Sequence, residues 1–381
     1  MTKLAPFFKA SQRLVVKVGS RLLVGESDLR PDQRWLQHLA AELMAQRAAG
    51  KDVVVVSSGA VALGCRLLGK KRSTLRRLKD KQAAAALGQG ALLSAWRDAF
   101  ADYNVHVAQV LLSLDDTEDR QRALNARATF DSLLRFSVVP LVNENDTVAT
   151  DEIRFGDNDR LAARIAQMIA ADMLVLLSDV DGLYTASPRQ DKGARHIPVI
   201  ESLTPEIMKM AGLSDSESGS GGMVTKLQAA RLATSVGCGV VIASGHEKNP
   251  LQLGRAGYRC SWFVPKKVDR KRAYKGWLLG GLRVRGSVHV DRGALEALRL
   301  GKSLLPAGVI AVQGNFQRGD MVRVVHAEKK DKEEQTCARG LASYSSHDVT
   351  RIMGRRSSDI ESILGYSGGD EVIHRDHLVL A

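Results

Sequence analysis

The stretch Asp52-Val53-Val54-Val55-Val56-Ser57-Ser58-Gly59-Ala60 decides the fold. Four consecutive valines leave no polar face, so the run reads as a strand covered on both sides, as in a parallel sheet. It ends in small residues and a helical pattern follows. Small residues at such a turn leave backbone N–H groups free to meet an anion.

Upstream, Pro31 to Ala49 carries apolar residues at helical spacing (Trp35, Leu36, Leu39, Leu43). Pro31 suits the first turn and Gly50 the position after the end. Before it, Arg13-Leu-Val-Val-Lys-Val18 reads as another buried strand, so a strand–helix–strand unit precedes the turn. Lys17 inside that strand is costly unless it is paired, used, or reaches the sheet edge.

Downstream, strands are expected at Val105–Leu112, Ser137–Val142, Met173–Leu177 and Cys238–Ala243. Helices are expected at Gln82–Ala101, Thr117–Leu134, from Asp159 to about Ala171, at Pro205–Ala211 capped by Thr204, and at Met223–Val236. Alternation of this kind predicts an α/β fold, mainly a parallel sheet sandwiched by helices. Beyond Pro265 the segments are short and Gly-punctuated (Ser287–Val290, Val309–Val312, Met321–Val325, Glu371–His374), which predicts a second, small, mostly β domain. The expected division is 1–265 for the larger domain, 266–281 for a basic linker, 282–365 for the small domain and 366–381 for a tail.

Composition limits the function. With 381 residues the chain is long enough for two domains, and 44% hydrophobic with 25% charged residues suits a soluble protein. A net charge of +13 favours anionic partners, though solvated Lys and Arg faces give the same sum. Aromatic residues make up only 5%, which argues against a chain-wide base-stacking surface. Cys65, Cys238, Cys260 and Cys337 are far apart in sequence and form no Cys-x-x-Cys pair, so neither a zinc site nor a disulfide framework is expected and a cytoplasmic location fits. No apolar run is long enough to span a membrane. Arg66 to Lys81 is densely basic, read as a solvated, mobile loop face or a patch that draws in anions.

Two stretches carry chemistry. Gly219-Ser220-Gly221-Gly222-Met223-Val224-Thr225-Lys226 places glycines directly before a helix. The backbone can then approach a phosphate at the helix start, with Lys226 in the first turn. It does not fit the Walker A pattern, and a flexible linker ending in a cap uses similar residues. The second stretch, Asn143 to Asp159, is rich in carboxylates and amides within a basic chain. Asn145 and Asn158 can donate to a carboxylate and accept from an ammonium, and Asp146 can pair with an ammonium. Asp157 or Asp159 could hold a lysine, ligate a metal or cap the next helix.

Taken in order, Lys17-Val-Gly-Ser, Ser57-Ser-Gly-Ala, Asn143-Glu-Asn-Asp-Thr-Val, Gly156-Asp-Asn-Asp, Gly182-Leu-Tyr-Thr and the Gly219–Lys226 motif resemble the amino acid kinase family. Val290-Asp-Arg-Gly-Ala, Ser303-Leu-Leu-Pro-Ala-Gly, Gly314-Asn-Phe-Gln-Arg-Gly-Asp and Ile373-His-Arg-Asp resemble the PUA domain that some of its members carry. The resemblance implies ATP-dependent phosphorylation of the side-chain carboxylate of L-glutamate, the first step of proline biosynthesis, with Mg2+ accompanying ATP. It implies Lys17 and Lys226 on the transferring phosphoryl group, Asp159 organising them, and Ser58, Asp146 and Asn158 on glutamate. Ser178, Asp179 and the run Ser220, Gly221, Gly222, Met223, Val224, Thr225 and Lys226 would line ATP, together with Lys17. It further implies proline as feedback inhibitor and a dimer or tetramer. RNA is an alternative partner of the PUA domain, and a sibling kinase acting on another carboxylate is the alternative enzyme. Ser57 and Ser178 stand where the family often has threonine, and the Arg66–Lys81 segment is unusually basic. No histidine is assigned to catalysis and no protein metal ligand set is expected. A carboxylate acceptor is already ionised at neutral pH and needs no general base.

Overall fold

The computed structural model describes residues 3–24, 30–148, 157–188, 190–211, 222–267, 283–327 and 334–380. The chain forms two compact units, the first mainly of residues before 271 and the second mainly of residues 271–381.

In the first unit the strands are β1 (Arg13–Val18), β2 (Asp52–Ser57), β3 (Val107–Leu112), β4 (Val139–Glu144), β5 (Met173–Ser178), β6 (Leu183–Tyr184), β7 (His196–Ile197), β8 (Val199–Ile200), β9 (Gly239–Ser244) and β10 (Cys260–Phe263). The helices are α1 (Leu4–Ala10), α2 (Ser20–Leu23), α3 (Gln33–Ala48), α4 (Ala60–Leu67), α5 (Leu78–Phe100), α6 (Leu114–Glu118), α7 (Arg120–Arg135), α8 (Asp157–Met168), α9 (Pro205–Lys209) and α10 (Met223–Ser235). Among the described residues, eight strands form one sheet in the order β3-β4-β2-β1-β5-β9-β10-β8. All its pairings are parallel except β9 with β10. The β6–β7 hairpin stands apart from it.

Strand side chains alternate between faces. Leu14, Val16, Val18, Val53, Val55, Val175 and Leu177 share a core with Leu36, Leu39 and Leu43 of α3 and with Trp96 and Phe100 of α5. Val15, Val54, Val56, Leu174 and Leu176 are equally buried and point the other way, toward the face on which α8 and α10 pack. Lys17 has the parity of Val15, so it points at the N-terminal ends of α8 and α10. Its direction follows from the strand register alone.

The connection from α4 to α5 is tight. A Cβ on Gly64 would lie 1.7 Å from the Ala84 carbonyl oxygen, and one on Gly88 would lie 1.8 Å from that of Ala60. The two helices touch backbone to backbone, which fixes the turn that carries Ser58.

Several expectations are corrected. Pro31 is not in a first turn: it bridges Val24, and Asp32 caps α3 by accepting from Trp35 N–H. The basic segment Arg66–Lys81 is not a plain loop. It is the end of α4, a turn of 3-10 helix at Arg72–Thr74 and the start of α5, and burial pushes the Arg72 guanidinium down to about 10. The helix expected over Thr117–Leu134 is two, α6 and α7, separated at Asp119 where the backbone turns extended.

The second unit holds β11 (Val284–Val290), β12 (Val309–Gly314), β13 (Met321–Ala327), β14 (Glu334–Leu341) and β15 (Leu378–Leu380), in the order β12-β11-β13-β14-β15. Its core joins Val288, Val290, Val322, Val324, Phe316 and Tyr344 with Ile352 and Ile360 from short helices. Residues 366–381 are more than a tail: Val372 and Ile373 are fully buried, and β15 extends the sheet through β14. Among the described residues no helix is long and apolar enough to cross a membrane.

Candidate active site

β1, β2, β4 and β5 run parallel, so their carboxyl ends share one edge. From β1 the chain first adds strands on one side (β2, then β4) and later on the other (β5, then β9). Such a reversal opens a crevice beyond the strand ends where ligands bind. Lys17, Ser58, Glu144 and Ser178 all lie at that edge.

The first cluster surrounds Asp159, which is fully buried near the start of α8. Its Oδ1 forms an ion pair with Lys17 Nζ at 2.6 Å, and its Oδ2 accepts from Lys226 Nζ at 3.2 Å and from Thr225 Oγ1 at 3.2 Å. Lys17 and Lys226 are themselves almost wholly buried. Burial pushes the Lys17 ammonium down, and Lys226 adds to that; Asp159 opposes it without cancelling it. For Asp159, burial pushes upward, but the attraction and hydrogen bonds of the two lysines outweigh it and hold the carboxyl below its usual range. One carboxylate thus serves two ammonium groups. Lys226 sits in the first turn of α10, after Gly222, where backbone N–H groups lack intrahelical partners. The arrangement holds two cations around one buried carboxylate.

The second cluster is a line of amides. Asn158 Nδ2 donates to Ser58 Oγ at 2.8 Å and to Asn143 Oδ1 at 3.0 Å. Asn158 Oδ1 is enclosed and has no hydrogen-bond partner among the described residues. Asp146 is buried a short way beyond β4. Ser57 Oγ, behind Ser58, accepts from Trp96 Nε1 at 2.9 Å. At the end of β5, Ser178 Oγ donates to Asp179, which also accepts from Arg21 Nη1 at 2.7 Å. Burial raises the Asp179 carboxyl, but those hydrogen bonds and the guanidinium leave it below its ordinary value.

Of the residues singled out from sequence, Lys17, Asp159, Thr225 and Lys226 meet in one cluster and Ser58 and Asn158 in the other. Ser178 and Asp179 lie at the same sheet edge. Ser220 and Gly221, with Ala149 to Gly156, lie outside the described residues. Arg21, Gln89, Trp96 and Gln109 were not anticipated. Their partners are far away in the chain, and no local motif marks them. Among the described residues no group of three His, Cys, Asp or Glu side chains could hold a metal ion. Asp159 is already engaged by two lysines, so it is a poor metal ligand.

A buried carboxylate holds two lysines at a helix start, beyond the ends of a parallel sheet. The chain belongs to the amino acid kinase family, whose model matches residues 12–244; a PUA domain matches residues 286–364. Its relatives narrow the class. It is 53% identical to the glutamate 5-kinase of Paramagnetospirillum magneticum over 97% of this chain and 98% of that one. It is 51% identical to the glutamate 5-kinase of Paracoccus denitrificans over 100% of both chains, and 50% identical to that of Rhodospirillum rubrum over 96% of both.

Proposed function

We propose that this chain is a glutamate 5-kinase: it transfers the terminal phosphoryl group of MgATP to the side-chain carboxylate of L-glutamate, giving L-glutamyl 5-phosphate for proline biosynthesis. The observation that carries the reading is the Lys17–Asp159–Lys226 cluster. Phosphoryl transfer to a carboxylate brings two anions together. What it requires is alignment and neutralisation of charge rather than a general base. Lys17 and Lys226 supply positive charge to the transferring group. Asp159 holds them at fixed positions, so little reorganisation is needed as charge shifts. Gly222, Met223, Val224 and Thr225 line the phosphates at the α10 start, with Ser178 and Asp179 on the nucleotide side. Magnesium would accompany ATP and neutralise part of the phosphate charge.

Ser58 and Asn158 hold glutamate. The enclosed Asn158 Oδ1 takes an ammonium hydrogen, and Asp146 supplies the opposite charge. The segments 1–265 and 282–365 serve as catalytic and PUA domains joined by the basic linker 266–281. The cytoplasmic location, self-association and control by proline that the resemblance implies belong to the same reading. The test is a substrate profile: ATP turnover should be fastest with L-glutamate. Turnover as fast with N-acetylglutamate or aspartate would remove the assignment.

A further inference from the structure

Asn158 is held by a longer chain of amides than glutamate binding by itself requires. Asn143 Nδ2 donates to Gln89 Oε1 at 3.3 Å, and Gln109 Nε2 donates to the same oxygen at 3.3 Å. Gln89 Nε2 in turn donates to the backbone carbonyl of Glu144 at 3.3 Å. Gln89 is on α5, Gln109 on β3 and Asn143 on β4, so the chain ties three elements together. Gln89 and Asn143 are buried, so water cannot readily take the place of a missing partner.

A side-chain amide can present either its oxygen or its nitrogen. One group in this line cannot be reversed: the Glu144 carbonyl only accepts. It turns the Gln89 nitrogen toward itself and the Gln89 oxygen toward Asn143. The Asn143 nitrogen then faces Gln89 and its oxygen faces Asn158. The Asn158 nitrogen is thereby committed to Asn143 and Ser58, and its oxygen is left without a partner among the described residues. Polarity set at a backbone carbonyl is relayed through three side chains to the enclosed Asn158 oxygen.

We propose that Gln89 is a positioning residue: by fixing the polarity of Asn143 and Asn158 it keeps an acceptor oxygen, not a donor nitrogen, facing the substrate amine. A protonated primary amine, which has three donors, is favoured over an acylated amine, which has one. The proposal rests on the glutamate reading of the site.

Two near-isosteric variants test it. Gln89→Met keeps the volume and loses the polarity. Gln89→Glu, protonated in its buried setting, can still donate to Glu144 and accept from Asn143. Gln89→Met should raise the glutamate KM about tenfold while kcat and the MgATP KM stay within about twofold. Gln89→Glu should hold the glutamate KM within about threefold of the parent. A parent-like KM in Gln89→Met, or equal rises in both variants, overturns the proposal. Side-chain-amide 15N asparagine spectra of the ligand-free protein read the relay without substrate. The Asn158 NH2 protons should exchange slowly in the parent and Gln89→Glu and faster in Gln89→Met; identical exchange in all three also overturns it. Absence of glutamate-dependent turnover in the parent would instead count against the proposed activity, and the spectra would still judge the relay.

Discussion

Asp159→Asn removes the charge between Lys17 and Lys226 and keeps the volume. Both lysines are buried, and Asp159 is their shared partner at 2.6 and 3.2 Å. Breaking a buried ion pair on one side costs about 3–5 kcal/mol. The structure also supplies a ceiling, because a lysine that cannot bear its charge can release its proton. From an ordinary value of 10.5 this costs, at pH 7, 3.5 pH units, or about 5 kcal/mol. At pH 9 the same release costs only about 2 kcal/mol. The sign follows from linkage: a lysine neutral in the folded variant but charged when unfolded makes the unfolded state bind more protons, so stability rises with pH. The variant should therefore lose about 3–5 kcal/mol at pH 7 and about 2 kcal/mol or less at pH 9. Urea titrations followed by tryptophan fluorescence at both pH values, parent beside variant, measure this. A loss under about 1 kcal/mol at pH 7, or a deficit unchanged at pH 9, would refute the reasoning.

In the parent the Asp159 carboxyl lies below its usual range, so its contribution to stability is complete above the unfolded value and disappears as pH falls through the folded one; acid titration of parent and Asp159→Asn should converge at low pH. Lys226→Ala should cut kcat by 100-fold or more, on the order of a lost transition-state donor, with a much smaller change in glutamate KM, whereas Asn158→Ala should act mainly on that KM; steady-state kinetics that reverse the pattern would exchange the two roles. Gly64→Ala places a methyl group 1.7 Å from the Ala84 carbonyl oxygen and should destabilise by about 1–3 kcal/mol or more, read as a lower urea midpoint. Cys65, Cys238 and Cys260 are buried and burial pushes their thiols up, Cys260 to about 12, so native protein at pH 8 should react quickly with a thiol reagent at Cys337 alone.

Much of this was legible beforehand because the signals are local. Val53–Val56 and Met173–Leu177 are apolar at every position, which only a strand covered on both faces requires. Glycines before a helix suggested an anion site, a lysine in such a strand one that is paired or used, and a carboxylate at a helix start one that could hold a lysine. Their meeting at Asp159 depends on strand parity and on the β1–β5 neighbour relation, which no single stretch contains. Gln89 and Gln109 were illegible for the same reason, being ordinary polar residues whose partners are 54 and 20 positions away. Pro31 misled because a proline suits a first turn as well as a bridge, and Asp32, one residue on, is the stronger cap. The antiparallel β10 and the sheet-forming end of the chain at β15 are pairings between distant segments, invisible to periodicity.

At the centre is glutamate held through its amine by Asn158 and Asp146, its γ-carboxylate attacking a phosphoryl group held by Lys17 and Lys226. Hydroxylamine trapping with product analysis tests it most directly. The γ-hydroxamate of L-glutamate should form in an ATP-dependent manner and be lost in Lys226→Ala. ATP consumption without hydroxamate, or formation of the α-hydroxamate, would contradict it.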